Sequence, residues 1–230
     1  MNLDQLQKQL GVKFTNPELL RQALVHRSYI NEHPDFELDH NERLEFLGDA
    51  VLEVVVTEYL YRTYPNPEGE LTNWRASLVN GTNLALIAQQ LDIEPHLYLS
   101  RGEARDSNSK ARQYILANAM EAIIGAIYLD RGIEAATTFI TSCILSGLQK
   151  ILDQKLYIDA KSLFQEKAQD VLGITPTYKV LSAVGPDHAK TFEIGIYLDR
   201  ELVATGTGSS KQEAQTDAAR AGLLKKNWSL

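Results

Sequence analysis

Apolar residues recur at helical spacing through the first two thirds of the chain and alternate near its end. Over 43–60 there is no proline and Gly48 is the only glycine. Leu44, Leu47, Val51, Val54 and Val55 fall on one side at about 100° per residue, which predicts a buried helix. Earlier, Pro17 opens a helix with Asn16 as its cap and Leu19, Leu20, Ala23 and Leu24 as its buried stripe. The polar run 33–40 holds Pro34 and reads as a loop, and YPNPEG at 64–69 stops the long helix with two prolines. Helical spacing resumes over 71–91. Residues 99–112 read as a polar surface loop rather than a phosphate contact, and 115–132 as an apolar helix whose Gly125 and alanines allow close packing.

Beyond residue 160 the period changes. A helix over 160–172 places Leu163, Phe164, Ala168 and Val171 on one side. Residues 177–183 and 190–198 alternate as strands, with Phe192, Ile194, Ile196 and Leu198 on one face. A third strand, 201–205, follows a tight turn at Asp199 and Arg200. Ser210 and Glu213 form an S-x-x-E capping box that opens a last helix, packed through Ala214, Ala218, Ala221 and Leu224. The pattern predicts an all-α domain over 1–152, a linker over 153–157 and an α+β domain of order α-β-β-β-α over 158–228.

A length of 230 residues suits two such domains. Cys143 is the only cysteine, which excludes an intramolecular disulfide and fits a reducing compartment. The N-terminus lacks a basic start followed by an apolar core, and no apolar run approaches the ~18 residues of a membrane span. A cytoplasmic protein with no membrane partner is expected. The net charge is −7, but nine of 23 basic and nine of 30 acidic residues lie from 158 onward, so the whole excess is in the first 157. An acidic half joined to a neutral half binds nucleic acid only through local patches and ions.

The first half offers a specific candidate for such an ion. Glu42, Glu45 and Asp49 lie at i, i+3 and i+7, within about 60° on the helix side opposite the apolar stripe. No Lys or Arg stands three or four residues from Glu45 or Asp49. Three unpaired carboxylates, without His or Cys, suit Mg²⁺ or Mn²⁺ rather than zinc. On spacing alone a solvated acidic face is the favoured reading, since such stripes are common on exposed helices. A di-iron carboxylate bundle is the third reading, but its Glu-x-x-His pairs are missing, since Glu42 and Glu121 are followed at i+3 by Glu45 and Ile124.

The string NERLEFLGDAVL at 41–52 resembles the signature of the ribonuclease III family, metal-dependent endonucleases of double-stranded RNA. ALVHRSY (23–29), EGELTNWRASLVN (68–80) and ILANAMEAIIGAIYLDRG (115–132) are similar to further elements of that family. GPDHAKTF (185–192), GTGSSKQEAQTDAA (206–219) and the α-β-β-β-α order resemble its double-stranded-RNA-binding domain. The resemblance spans nearly the whole chain. It implies a helical ribonuclease III domain, a homodimer with the signature helices at its interface, two active sites along one valley and cuts on both strands. No organic cofactor is implied.

The resemblance also assigns roles. Glu45 and Glu121 are expected to ligate the metal directly, Asp49 to position a water and Glu42 to act through water or help place a second ion. Asn118 stands where many family members carry Asp. Its amide oxygen is an acceptable hard ligand without the charge, so metal affinity is expected to fall. A catalytically silent double-stranded-RNA-binding factor is the alternative that Asn118 raises. His26 is expected to be a hydrogen-bonded residue orienting the acidic helix, and Arg75 to make an internal ion pair rather than an RNA contact. In the second domain Gln165 and Glu166 would face 2′-hydroxyls, His188 would enter a second minor groove, and Ser210 and Lys211 would meet phosphate at a helix N-terminus. Gln212 replaces a common Lys of that motif.

Overall fold

The chain divides just ahead of the change in hydrophobic period, between residues 154 and 155. The computed structural model describes residues 3–105, 110–155, 157, 159–186 and 190–228, in two units, Met1–Gln154 and Lys155–Leu230.

The first unit is helical: α1 (Leu3–Leu10), α2 (Pro17–Ala23), α3 (Arg27–Glu32), α4 (Glu42–Thr63), α5 (Glu68–Val79), α6 (Gly81–Gln90), α7 (Arg101–Arg105), α8 (Lys110–Cys143) and α9 (Leu148–Asp153). Asn16 caps α2 as expected, its side chain accepting from the Glu18 N–H. Helix α8 is the centre of the unit. Its Leu116, Met120, Ile123, Ile124 and Ile127 are buried because α4, α6 and α2 pack around it. Truncating one such side chain to alanine costs about 2–5 kcal/mol. Contrary to the expectation that no run is apolar enough, a window within Lys110–Asp153 has the length and apolar composition of a membrane span. Here its apolar residues form the core of the helical unit. Gly132 interrupts α8 at φ 80°, a left-handed value that a side chain resists.

Three local expectations change. The helix read over 71–91 is two helices, because Asn80 leaves the helix and its side chain accepts from the Asn83 N–H at 3.0 Å, starting α6 afresh. Part of the polar run at 99–112 is helical, with the Ser100 hydroxyl accepting from the Glu103 N–H. On α4, Val54 is 61% exposed, and the buried side runs through Leu44, Gly48, Val51, Leu52, Val55 and Val56.

The second unit is α10 (Ala160–Leu172), β1 (Thr177–Val184), β2 (Thr191–Leu198), β3 (Glu201–Gly208) and α11 (Lys211–Lys225). The strands form an antiparallel sheet in the order β1-β2-β3. Asp199 turns the β2–β3 hairpin at φ 53°. Phe164, Ala168, Ile196, Leu198, Val203, Ala218 and Leu223 make a core between the sheet and the two helices. Val171 and Leu224, expected inside, are exposed. On α11 the buried stripe passes through Gly222 and Leu223 instead, because the Phe164 ring lies against Gly222. The capping box is also shifted by one residue. Ser210 accepts from the Glu213 N–H at 3.2 Å, while the Glu213 carboxylate accepts from the N–H and hydroxyl of Ser209.

Candidate active site

Two glycines set how closely the acidic helices approach. A Cβ at Gly48 of α4 would fall 1.7 Å from the Glu121 carbonyl oxygen and 2.8 Å from the Gly125 nitrogen of α8. One at Gly125 would fall 2.2 Å from the Leu44 oxygen. The two backbones therefore meet without side chains between them. The crossing brings Glu45 and Asp49, on either side of Gly48 in the chain, to Asn118 and Glu121. The state of Glu121 reports their shared field. Burial, then Asp49, then Glu45 push its carboxyl from an ordinary 4.5 up to about 7. Glu45 is also raised, by burial first and then by Glu42 and Asp49, and hydrogen bonding from Asn118 opposes the shift.

Glu45, Asp49 and Glu121 make no ion pair among the described residues. Glu42 does, which corrects the reading of three unpaired acids. Arg27 Nη1 lies 3.3 Å and His40 Nδ1 3.8 Å from its carboxylate. Among the described residues no group of three or more His, Cys, Asp and Glu side chains is gathered to hold an ion. The Asp49 and Glu45 carboxylates lie near enough to raise that of Glu121 by repulsion. Their chemistry nevertheless fits an ion: oxygen donors only, mutually repelling, in a partly buried place without Lys or Arg.

His26 is hydrogen-bonded as expected, with Nδ1 2.8 Å from the Ser28 hydroxyl, and burial lowers its pKa. It caps α3, and among the described residues no hydrogen bond ties it to α4 to orient that helix. That task falls to Asn41, which sequence reasoning missed. Its side chain is buried and donates to the Ala23 oxygen at 3.1 Å, and its N–H donates to the Val25 oxygen at 2.9 Å. Arg75 makes the expected ion pair, with Glu53 at 2.9 Å. Arg112, read as part of a surface loop, is buried and sits 3.4 Å from Glu94.

In the second unit Gln165 and Glu166 are exposed on α10, and Lys211 is exposed at the start of α11 beside the capping residue Ser210. The N-terminal turns of these two helices are tied by Lys161 Nζ donating to Gln215 Oε1 at 2.7 Å. His188 lies outside the described residues.

A helical unit with carboxylates shared between its two longest helices, followed by an α-β-β-β-α unit with polar helix ends exposed, is the layout of a nuclease joined to a duplex-RNA-binding module. The family model described as Ribonuclease-III-like matches residues 16–148, and that of the Double-stranded RNA binding motif matches 160–226. Ribonuclease 3 of a Nitratiruptor species is 42% identical over 222 residues, 96% of this chain and 95% of that protein. Ribonuclease 3 of Carboxydothermus hydrogenoformans is 43% identical over 228 residues, 98% and 97% of the two chains. The solved nuclease domain of ribonuclease III from Campylobacter jejuni, described for structural flexibility in a region involved in dimer formation, is 40% identical with a TM-score of 0.57. It covers 63% of this chain and 97% of its own. The chain belongs to the ribonuclease III family of endoribonucleases.

Proposed function

We propose that the chain hydrolyses double-stranded RNA with Mg²⁺, or Mn²⁺ in its place, leaving 5′-phosphate and 3′-hydroxyl ends. The processing of ribosomal precursors and other structured transcripts in the cytoplasm is the corresponding cellular role. The observation that supports this reading is the close α4–α8 crossing at Gly48, across which Asp49 and Glu45 raise the Glu121 carboxyl by repulsion, with no Lys or Arg paired to any of the three among the described residues.

Glu45 and Glu121 would hold the ion directly, with the Asn118 amide oxygen as a neutral third donor. A bound divalent ion lowers the pKa of water and offsets charge building on the phosphoryl oxygens. Asp49, one helical turn from Glu45, positions the attacking water. Glu42, held by Arg27, acts through water or helps place a second ion. In the second unit Gln165, Glu166 and His188 face the minor grooves, and Ser210 and Lys211 face phosphate.

The homodimer reading is supported by Phe46, 80% exposed beside Glu45, which with Leu19, Leu44, Leu47 and Leu129 makes the apolar part of a groove whose polar part includes Glu42 and Arg43. An exposed aromatic in an open groove shared by α2, α4 and α8 suits a self-complementary contact.

The test is cleavage of a labelled RNA duplex with Mg²⁺ titrated. The wild type cuts, Glu121→Ala abolishes cutting, and Asn118→Asp lowers the Mg²⁺ requirement. A wild type that binds the duplex yet never cuts at any Mg²⁺ or Mn²⁺ level, with cutting restored by Asn118→Asp, would establish the silent RNA-binding factor instead.

A further inference from the structure

The acidic row on α4 does not end at Asp49. Glu53 follows one turn later, about 6 Å further along the axis. Arg75 of α5 reaches across to this end of the row. Its Nε is 2.9 Å from Glu53 Oε2, and its Nη1 donates to Thr57 Oγ1 at 2.9 Å. No partner for Nη2 is present among the described residues.

The pair is poorly explained as a structural tie. The Arg75 and Glu53 side chains are 34% and 38% exposed, and an ion pair so open to water contributes little to stability. Helix α5 is seated by other means: Trp74 and Leu78 are buried, and Trp74 packs edge-on against Tyr64 at 5.1 Å. The charge arrangement suggests another use. Glu42 at one end of the row carries Arg27, Glu53 at the other carries Arg75, and Glu45 and Asp49 between them carry no cation. A phosphodiester over the centre is served by the divalent ion. Neighbouring phosphates of the same strand meet carboxylates unless a fixed cation is at hand. A guanidinium suits that place, since its planar fork of N–H groups matches phosphate oxygens. Arg75 also lines a groove with Thr57, Asn66, Glu68, Thr72 and the exposed ring of Tyr61, in which it is the cationic residue among those described.

We propose that Arg75 is a substrate-binding residue. It takes a backbone phosphate of the duplex RNA strand being cut, next to the scissile bond, and Glu53 holds the guanidinium in place until RNA displaces it. The position of the cut strand rests on the nuclease reading above.

The full chain tests this with Arg75→Ala, Arg75→Lys and Glu53→Gln. Duplex binding is measured across NaCl concentrations with Mg²⁺ in the Glu121→Gln background, and KM and kcat in the otherwise wild-type chain. Arg75→Ala is expected to weaken binding about five- to tenfold and to reduce the slope of log affinity against log salt by about one. KM rises in step while kcat stays within about twofold. Arg75→Lys restores most of the salt slope, and Glu53→Gln tightens binding by removing the competing carboxylate. Unchanged affinity and slope in all three variants, with only a lower melting temperature for Arg75→Ala, would reduce the pair to a tie between α4 and α5. A wild type that does not cut would sink the nuclease reading alone, because the binding series still decides Arg75.

Discussion

The main chain of Glu121 rests directly on Gly48. A methyl group added to that glycine would stand 1.7 Å from the Glu121 carbonyl oxygen. Gly48→Ala is therefore expected to force α8 away from α4 and to destabilise the chain by about 3 kcal/mol, the upper end for overpacking. Cleavage should fall further than the folded fraction does, because the displaced backbone carries Glu121. Denaturant midpoints and rates at matched folded protein separate the two effects. Gly147→Ala is the control, since a Cβ there meets nothing within 4 Å. Equal losses in both variants would contradict the close crossing.

Proton linkage at Glu121 has a definite sign. Its pKa is about 7 in the folded chain against an ordinary 4.5, so between those values the native state binds a proton that the unfolded state has released. The contribution of this group to stability is full below 4.5 and is lost as pH rises through 7. In EDTA, the melting temperature of the wild type should fall between pH 5 and about 7 more steeply than that of Glu121→Gln. Parallel pH profiles for the two proteins would refute the shift.

Lys211 stands exposed at the first turn of α11 and serves phosphate on the proposed reading. Lys211→Ala should weaken duplex binding and lower the salt slope by about one, with kcat unchanged at saturating RNA. A loss of kcat without a change in slope would place Lys211 outside the RNA contact.

Arg112 is 3% exposed, with Glu94 and the Glu103 oxygen as partners. Arg112→Ala strands the half-exposed Glu94 and opens a cavity, and should cost about 3 kcal/mol in urea unfolding. A neutral result is what an arginine in a surface loop would give.

Much of the architecture was legible in advance because its signals are local. Proline at 17, 65 and 67 marks helix boundaries, alternation at 191–198 marks a strand, and Ser210 starts the last helix. The site was legible in part. The spacing of Glu42, Glu45 and Asp49 placed them on one helical stripe, and the motif around Glu121 named its companion. The buried side of α4 was only partly readable. Three valines stand in succession at 54–56, so periodicity cannot choose between Val54, which is exposed, and Val56, which is buried. The same ambiguity separates Leu223 from Leu224.

From the amino-acid sequence alone came the two domains' classes, the acidic motif and the expectation of a cation to satisfy it. The tertiary structure decided which distant groups meet: Gly48 with Glu121, Arg27 with Glu42, Arg75 with Glu53, Arg112 with Glu94. The division has a physical cause. Caps, breaks and stripes are set by interactions within a few residues, whereas the pairing of helices depends on how whole faces fit when the chain closes on itself.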